Sequence, residues 1–371
     1  MKQKILILGL TVCLLLTGCS WVEGSYVSVT AHRAQRQNTQ TDVITASDYL
    51  QLLGALQEMI ASGTELAAVI VAEYPEASVE HGIQRAVQHA MLYDPLGSYA
   101  AEDILYELGT SNGVPAVSFN IRYRHNRSEI QRIRSVPDML AAEAIVARAL
   151  EDYDAGLVML IETYEKLDFT QFIHDYVENN PETVMETPQV TENLYGTGRD
   201  RVVELIFTYQ TSRDTLRRMQ GQVQPVFDAA SLYVSGDGEE YQKFSQLYAF
   251  LMERFDYKQE TSITPAYSLL RHGVGDSRAF ATVYASMCRS AGLECMMVTG
   301  TRDGEPWSWN IVKDGGQYFH VDLLRCNEEG RYTEKLDAAM DGYVWDYSSY
   351  PPCDGTILVE ESEDNPTEEK N

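Results

Sequence analysis

Positive charge is scarce in this 371-residue chain: 29 lysines and arginines stand against 55 aspartates and glutamates, a formal net charge of −26. That deficit excludes nucleic acid as a partner, because phosphate binding requires basic patches. It equally excludes electrostatic adhesion to anionic lipid, and the acidic excess reads as solubility and colloidal repulsion. Long apolar runs are lacking too, and the run Ile5–Leu16 is too short to cross a bilayer. Cysteine is sparse, six in all, with no CxxC and no Cys/His spacing of a metal site, so neither a metal nor a cofactor is expected. A phosphate loop is also missing. Gly196-Thr-Gly198 reads as a turn, because no strand–Gly–helix context surrounds it.

What is present begins with a basic n-region, Lys2 and Lys4, followed by Ile5–Leu16 and then Leu16-Thr17-Gly18-Cys19. This start resembles a bacterial lipoprotein signal with its lipobox. The resemblance implies that residues 1–18 are removed and that Cys19 carries a diacylglyceryl thioether and an N-acyl chain such as palmitate. Two or more acyl chains hold a protein stably at a membrane, here on its extracytoplasmic side. Residues 19–23 then form the lipidated cysteine and its tether. At the other end Glu360–Asn371 is acidic, with one proline and no aromatic residue, and residues 356–371 read as a disordered tail. Of the remaining cysteines, Cys288 and Cys295 read as buried thiols, and Cys326 with Cys353 is a candidate disulfide of an exported protein.

Residues 24–235 repeat themselves. Ile121–Ile133 matches Phe207–Met219 without a gap, pairing Tyr123 with Tyr209, Arg127 with Arg213, Ile130 with Leu216 and Arg132 with Arg218. Each segment reads as a strand, a polar turn and a helix, with Asn126 and Ser212 as N-caps. Upstream, Leu66–Tyr74 and Leu157–Tyr164 are apolar runs of strand character, followed by helices at Val79–Met91 and Phe169–Val177. Long loops are expected at Asp94–Val114 and Glu178–Asp200, and these twin loops offer a binding surface of their own. Tyr26–Thr30 with a helix over Ala46–Ser62 reads as a fragment of a third copy. The alternation predicts an α/β tandem-repeat domain. Ser235-Gly-Asp-Gly238 is its linker to a second domain over residues 236–355.

In that second domain the run Tyr267-Ser-Leu-Leu-Arg-His-Gly-Val-Gly-Asp-Ser-Arg-Ala-Phe-Ala-Thr-Val-Tyr-Ala-Ser-Met-Cys-Arg-Ser-Ala-Gly-Leu293 is followed by Trp307-Ser-Trp-Asn310 and Gln317-Tyr-Phe-His-Val-Asp322. These segments resemble the transglutaminase-like (papain-related) superfamily over about Glu239–Cys353. The resemblance implies an α+β fold: a papain-like core with a helix packed on an antiparallel sheet. It also implies a triad of Cys, His and Asp, whose positions fall here on Ser277, Trp307 and Asp322.

Those substitutions bear on proton transfer. In the family a neighbouring imidazole deprotonates the thiol and the acid orients that imidazole. An indole nitrogen has a donor hydrogen and no acceptor lone pair, so Trp307 cannot take a proton from Ser277. The expectation is a non-catalytic domain that binds or scaffolds protein, peptide or cell-wall material. The alternative is a serine-dependent amidase, peptidase or acyl transferase in which His320 or His272 serves Ser277 as base. Strand alternation puts His320 on the face of Asp322, and Trp307 on the face of Trp309. Trp307 reads as a plug in the vacated groove or, with Trp309 and Asn310, as the lining of a retained cleft. For Asp322 the candidate partners are His320, Arg278, the Trp307 indole and the Asn310 amide.

Overall fold

The computed structural model describes residues 44–234, 236–259 and 265–356. The export signal, Cys19, Tyr26–Thr30, Ser235 and the acidic tail beyond residue 356 lie outside the described residues.

From the N-terminal side, α1 (Tyr49–Ser62) precedes β1 (Leu66–Ile70), α2 (Glu76–Leu92), α3 (Pro95–Ala100) and the hairpin of β2 (Ala101–Ser111) and β3 (Val114–Tyr123). Asp48 starts α1 by accepting the Gln51 N–H, and Gly63 ends it in a left-handed conformation. The three strands form an antiparallel sheet in the order β1-β3-β2. A short helix, α4 (Arg127–Ile130), and β4 (Arg134–Val136) lead into α5 (Met139–Glu151), which Asp138 caps. Next come β5 (Gly156–Ile161), α6 (Phe169–Asn179), the hairpin of β6 (Gln189–Tyr195) and β7 (Arg201–Thr208), and α7 (Arg213–Tyr233). Their sheet runs β4-β5-β7-β6, with β4 parallel to β5 and the other pairs antiparallel. In both sheets a strand, a helix and a hairpin follow one another, and the last strand lies between the other two.

The two long loops expected at 94–114 and 178–200 are not loops. The first contains α3 and β2, and the second contains β6. Charges in β2, such as Glu102 and Glu107, disguise the strand because they lie on its solvent side. The hairpin signal was Asn112-Gly113, whose positive φ values of 54° and 83° suit a two-residue turn between twisted strands. Of the two expected N-caps, Asn126 closes a capping box with Glu129. Ser212 makes no side-chain cap bond and donates its hydroxyl to Thr215 Oγ1 instead. The helix foreseen at Ala46–Ser62 is α1, which packs chiefly on α2.

After α7 come α8 (Glu240–Met252), the parallel pair β8 (Asp256–Tyr257) and β9 (Val274–Gly275), α9 (Pro265–His272) and α10 (Ser277–Ser290). The antiparallel sheet β12-β11-β10-β13 is built from β10 (Cys295–Arg302), β11 (Glu305–Asp314), β12 (Gln317–Val321) and β13 (Tyr343–Trp345). Between β12 and β13 lies α11 (Leu323–Glu328). Helix α10 lies against β10 and β11 and is enclosed by α6, α7, α8 and α9. This is why all but a few of its residues are buried.

One hydrophobic core runs from Val136 through Phe169, Leu205 and Phe227 to Phe280 and Leu324. It therefore draws on residues from both sides of position 235. The other face of the C-terminal sheet has its own core of Val298, Trp309, Ile311, Met340, Tyr343, Trp345 and Cys353. This division corrects the candidate disulfide: Cys326 belongs to the first core and Cys353 to the second, and both are free thiols. The sheet lies between the two groups.

Where the end of β11 meets the segment after α11, Glu334 accepts the Tyr332 hydroxyl at 3.0 Å and has Asp314 as a charged neighbour. Burial first, then the Asp314 charge, pushes the Glu334 carboxyl up to about 7. The folded chain thus holds a proton that the unfolded chain has released. The resulting stability is fully present below the ordinary value of 4.5 and is lost as pH rises through about 7. Urea denaturation between pH ~5 and ~8 is expected to show this loss in the native chain and a smaller loss in Glu334→Gln.

Candidate functional site

Position 277 sits where β9 turns into α10. Gly275 allows the approach, since a Cβ there would lie 2.9 Å from Ala279 Cβ and 3.1 Å from Leu269 Cβ. Asp276, and not Ser277, is the N-cap: its carboxylate accepts the Ala279 N–H at 2.9 Å. Ser277 is the first residue of the helix, 7% exposed, and its Oγ accepts the Ser308 N–H at 3.2 Å. Strand β11 is thereby held against the start of α10.

Alternation along β11 sends its side chains to two covered faces. Asn310 points to the helix side, where Nδ2 donates to the Ala281 carbonyl at 2.8 Å. Trp309 points away and packs among Val298, Tyr343 and Trp345. With exposures of 1% and 0%, Trp309 and Asn310 do not line a cleft. The segment 337–353 covers one face of β11 and α10 the other.

Trp307 is half-buried, and its indole Nε1–H donates to Asp322 Oδ2 at 2.8 Å. The guanidinium of Arg302 lies 5.1 Å from its ring, and the exposed Tyr257 ring lies 5.7 Å away. Trp307 thus neither disappears into the core nor stands free, and with Tyr257 it forms an aromatic rim beside Ser277. Asp322 is saturated. Its Oδ1 accepts the Leu324 and Arg325 N–H groups at 3.1 Å each, capping α11, and its Oδ2 also accepts the Tyr343 hydroxyl at 2.6 Å. Arg302 stands 3.6 Å from the same oxygen. Of the four partners considered from sequence, only the Trp307 indole bonds this carboxylate among the described residues. Arg278 pairs with Glu178 instead.

His320 does not share a face with Asp322. Strand β12 ends at Val321 and Asp322 opens α11, which interrupts the alternation. The His320 ring is 1% exposed and points into the second core. There Nδ1 accepts the Trp309 Nε1–H at 2.9 Å, and Nε2 faces Asp337 Oδ1 at 2.8 Å. An indole can only donate, so Nδ1 must be the acceptor and Nε2 carries the hydrogen that goes to Asp337. Burial lowers the His320 pKa, with Asp337 opposing. Its only ring lone pair is therefore committed elsewhere. His272, exposed at the end of α9, meets Tyr267 edge-on with ring centres 6.0 Å apart. Among the described residues no hydrogen bond joins an imidazole nitrogen to Ser277.

Among the described residues, two groups of side chains have metal-ligand types close together: His320, Asp337 and Cys353, and the largely exposed His174, Asp175 and Glu178. The first fits a metal poorly. Its imidazole has no free lone pair, and burial pushes the Cys353 thiol up to about 12. In the second, Glu178 is engaged by Arg278.

A cavity of about 260 Å³ lies beside the start of α10, between α6, residues 181–187 and the start of α9. Val177, Val184, Met185 and Ala266 supply apolar wall, while Arg278 and Thr282 belong to α10. Sequence reading missed this cavity. Its wall segment is held by long-range bonds, from Tyr153 OH to the Thr183 carbonyl at 2.8 Å and from the Gln210 N–H to Glu186 Oε1 at 2.5 Å. No local pattern announces such a bond.

Residues 228–323 match the Transglutaminase-like superfamily, so the chain carries a transglutaminase-like domain there. No curated protein matches the chain. Among solved structures it is similar to a candidate cysteine protease from Cytophaga hutchinsonii, at 15% identity and TM-score 0.26, over 41% of this chain and 69% of that one. It is also similar to a TGase, at 10% identity and TM-score 0.26, over 61% of this chain and 63% of that one. A third, a candidate protease from Parabacteroides distasonis, shares 11% identity at TM-score 0.22, over 68% of this chain and 40% of that one. The chain therefore spans less than two thirds of the last two.

Trp307→Phe removes the indole donor and retains most of the ring contact. It deprives a buried carboxylate of one partner, so a loss of about 1–3 kcal/mol is expected, measured by urea denaturation.

Proposed function

We propose that this chain is an exported, lipid-anchored surface protein whose transglutaminase-like domain binds without catalysing. One observation carries the reading: the indole N–H of Trp307 fills the donor place on Asp322, at the position where the superfamily resemblance calls for the imidazole. An imidazole there would turn its second nitrogen toward residue 277, whereas an indole has no second nitrogen. The Ser277 hydroxyl then lacks a proton acceptor, and losing the base alone costs about a million-fold in a well-studied serine protease. The committed lone pair of His320 supports the same reading.

The ligand we propose is protein, peptide or cell-wall material, held at the Tyr257–Trp307 rim and in the cavity beside Arg278. Half-exposed aromatic rings next to a small mixed pocket suit a segment that presents both apolar and hydrogen-bonding groups. The like strand order of the first two sheets supports reading residues 24–235 as a duplicated unit that carries this domain. The lipobox-like Leu16-Thr17-Gly18-Cys19 supports the anchor.

The mature chain incubated with acyl-donor peptides and primary amines is expected to release no more product than buffer, and Ser277→Ala to behave identically. Turnover that disappears in Ser277→Ala would overturn the reading. Separately, Cys19→Ala is expected to abolish labelling by a palmitate analogue and to move the chain from the membrane fraction to the soluble one. Unchanged fractionation would remove the anchor from the proposal.

A further inference from the structure

The corner between α10 and β10 brings two thiols together. Cys288 lies in the last turn of α10 and is fully buried, and Cys295 is the first residue of β10 and 6% exposed. Between them the chain doubles back tightly: Gly292 takes φ +73°, and the Leu293 N–H donates to the Cys288 carbonyl at 2.9 Å. Both are free thiols whose side chains enter the same core, where burial first and the neighbouring Cys295 thiol second push the Cys288 thiol up. Neither belongs to the Ser277 site or lines the cavity.

We propose that Cys288 and Cys295 are a covalent modification site that closes to an intramolecular disulfide, tying the end of α10 to the start of β10. The oxidant is a disulfide carrier. One cysteine thiolate attacks the carrier disulfide, forms a mixed disulfide and releases one carrier thiol. The second cysteine thiolate then attacks the mixed disulfide and releases the other carrier thiol. The protein gives up two hydrogens, and the carrier disulfide is reduced to two thiols.

Timing follows from burial. In the finished fold burial pushes the Cys288 thiol well up, and no carrier reaches a fully enclosed sulfur. The bond therefore forms while the chain is folding, before α7 and α8 close over α10. An exported chain meets disulfide carriers at that stage, so the cellular setting rests on the export reading, while the chemistry does not. The ring closed is small, so the main consequence is local. The end of α10 is fixed to the strand that pairs with β11, opposite Trp307 at Gly300.

Trypsin provides a direct test, because Arg289 lies between the two cysteines. Residues 279–289 and 290–302 leave the digest as separate peptides unless a disulfide joins them. The unfolded mature chain is refolded with oxidised or with reduced glutathione, free thiols are alkylated, and the digest is read by mass spectrometry. The two peptides are expected joined after oxidative refolding and singly alkylated after reductive refolding. A Cys326→Ser/Cys353→Ser chain is expected to keep the joined pair. Separate alkylated peptides after oxidative refolding, or linkage to Cys326 or Cys353 in their place, overturns the proposal. The same digest of chain recovered from cells separates the two readings. Peptides joined in the refolded chain but free in the recovered chain count against export and leave the pair's chemistry standing.

Discussion

The carboxylate of Asp322 organises the C-terminal domain. It receives the backbone of α11, the indole of Trp307 and the hydroxyl of Tyr343, with Arg302 close by. A buried anion must be compensated, and these donors compensate it fully. In doing so they tie β11, β13 and α11 together at one point. The same bonds consume the acid chemically. The indole of Trp307 can only give a hydrogen, so this bond offers no acceptor nitrogen beside the carboxylate.

The neighbouring pair repeats the logic. Trp309 donates to His320, fixes its tautomer and turns its remaining hydrogen toward Asp337. Two indoles two residues apart on β11 thus each satisfy a buried titratable group. Both interactions stabilise by hydrogen bonding in a low-dielectric surrounding, where an unmatched polar atom costs most. What is gained is a rigid sheet with a second core behind it. The His320 ring keeps no free lone pair.

Helix α10 is the other constraint. Sheet lies on one side of it, and α6 and α7 of the preceding region lie against it together with α8 and α9. Ser286 donates to Glu182 Oε2 at 2.6 Å, and the Arg278 and Arg289 side chains also reach the α6 end. The helix that presents Ser277 is therefore held by both halves of the chain, and the cavity beside it exists only because they meet there. This joint origin gives the N-terminal half a part in shaping any ligand site.

Local pattern was enough to reveal the helix beginning at Ser277 and the strand that carries Trp307. Each is a property of residue type and spacing along one element. The same information did not disclose that His320 turns away from Asp322, that Trp309 and Asn310 are covered, that Cys326 and Cys353 lie on opposite sides of a sheet, or that a strand with charged residues fills residues 101–111. Periodicity assigns a side chain to a face, but what covers that face comes from distant segments. A donor's partner is settled only when those segments close over it. Residue identity by itself determined which protons can move; the tertiary structure decided which atoms meet, because burial and hydrogen-bond pairing are properties of the closed chain.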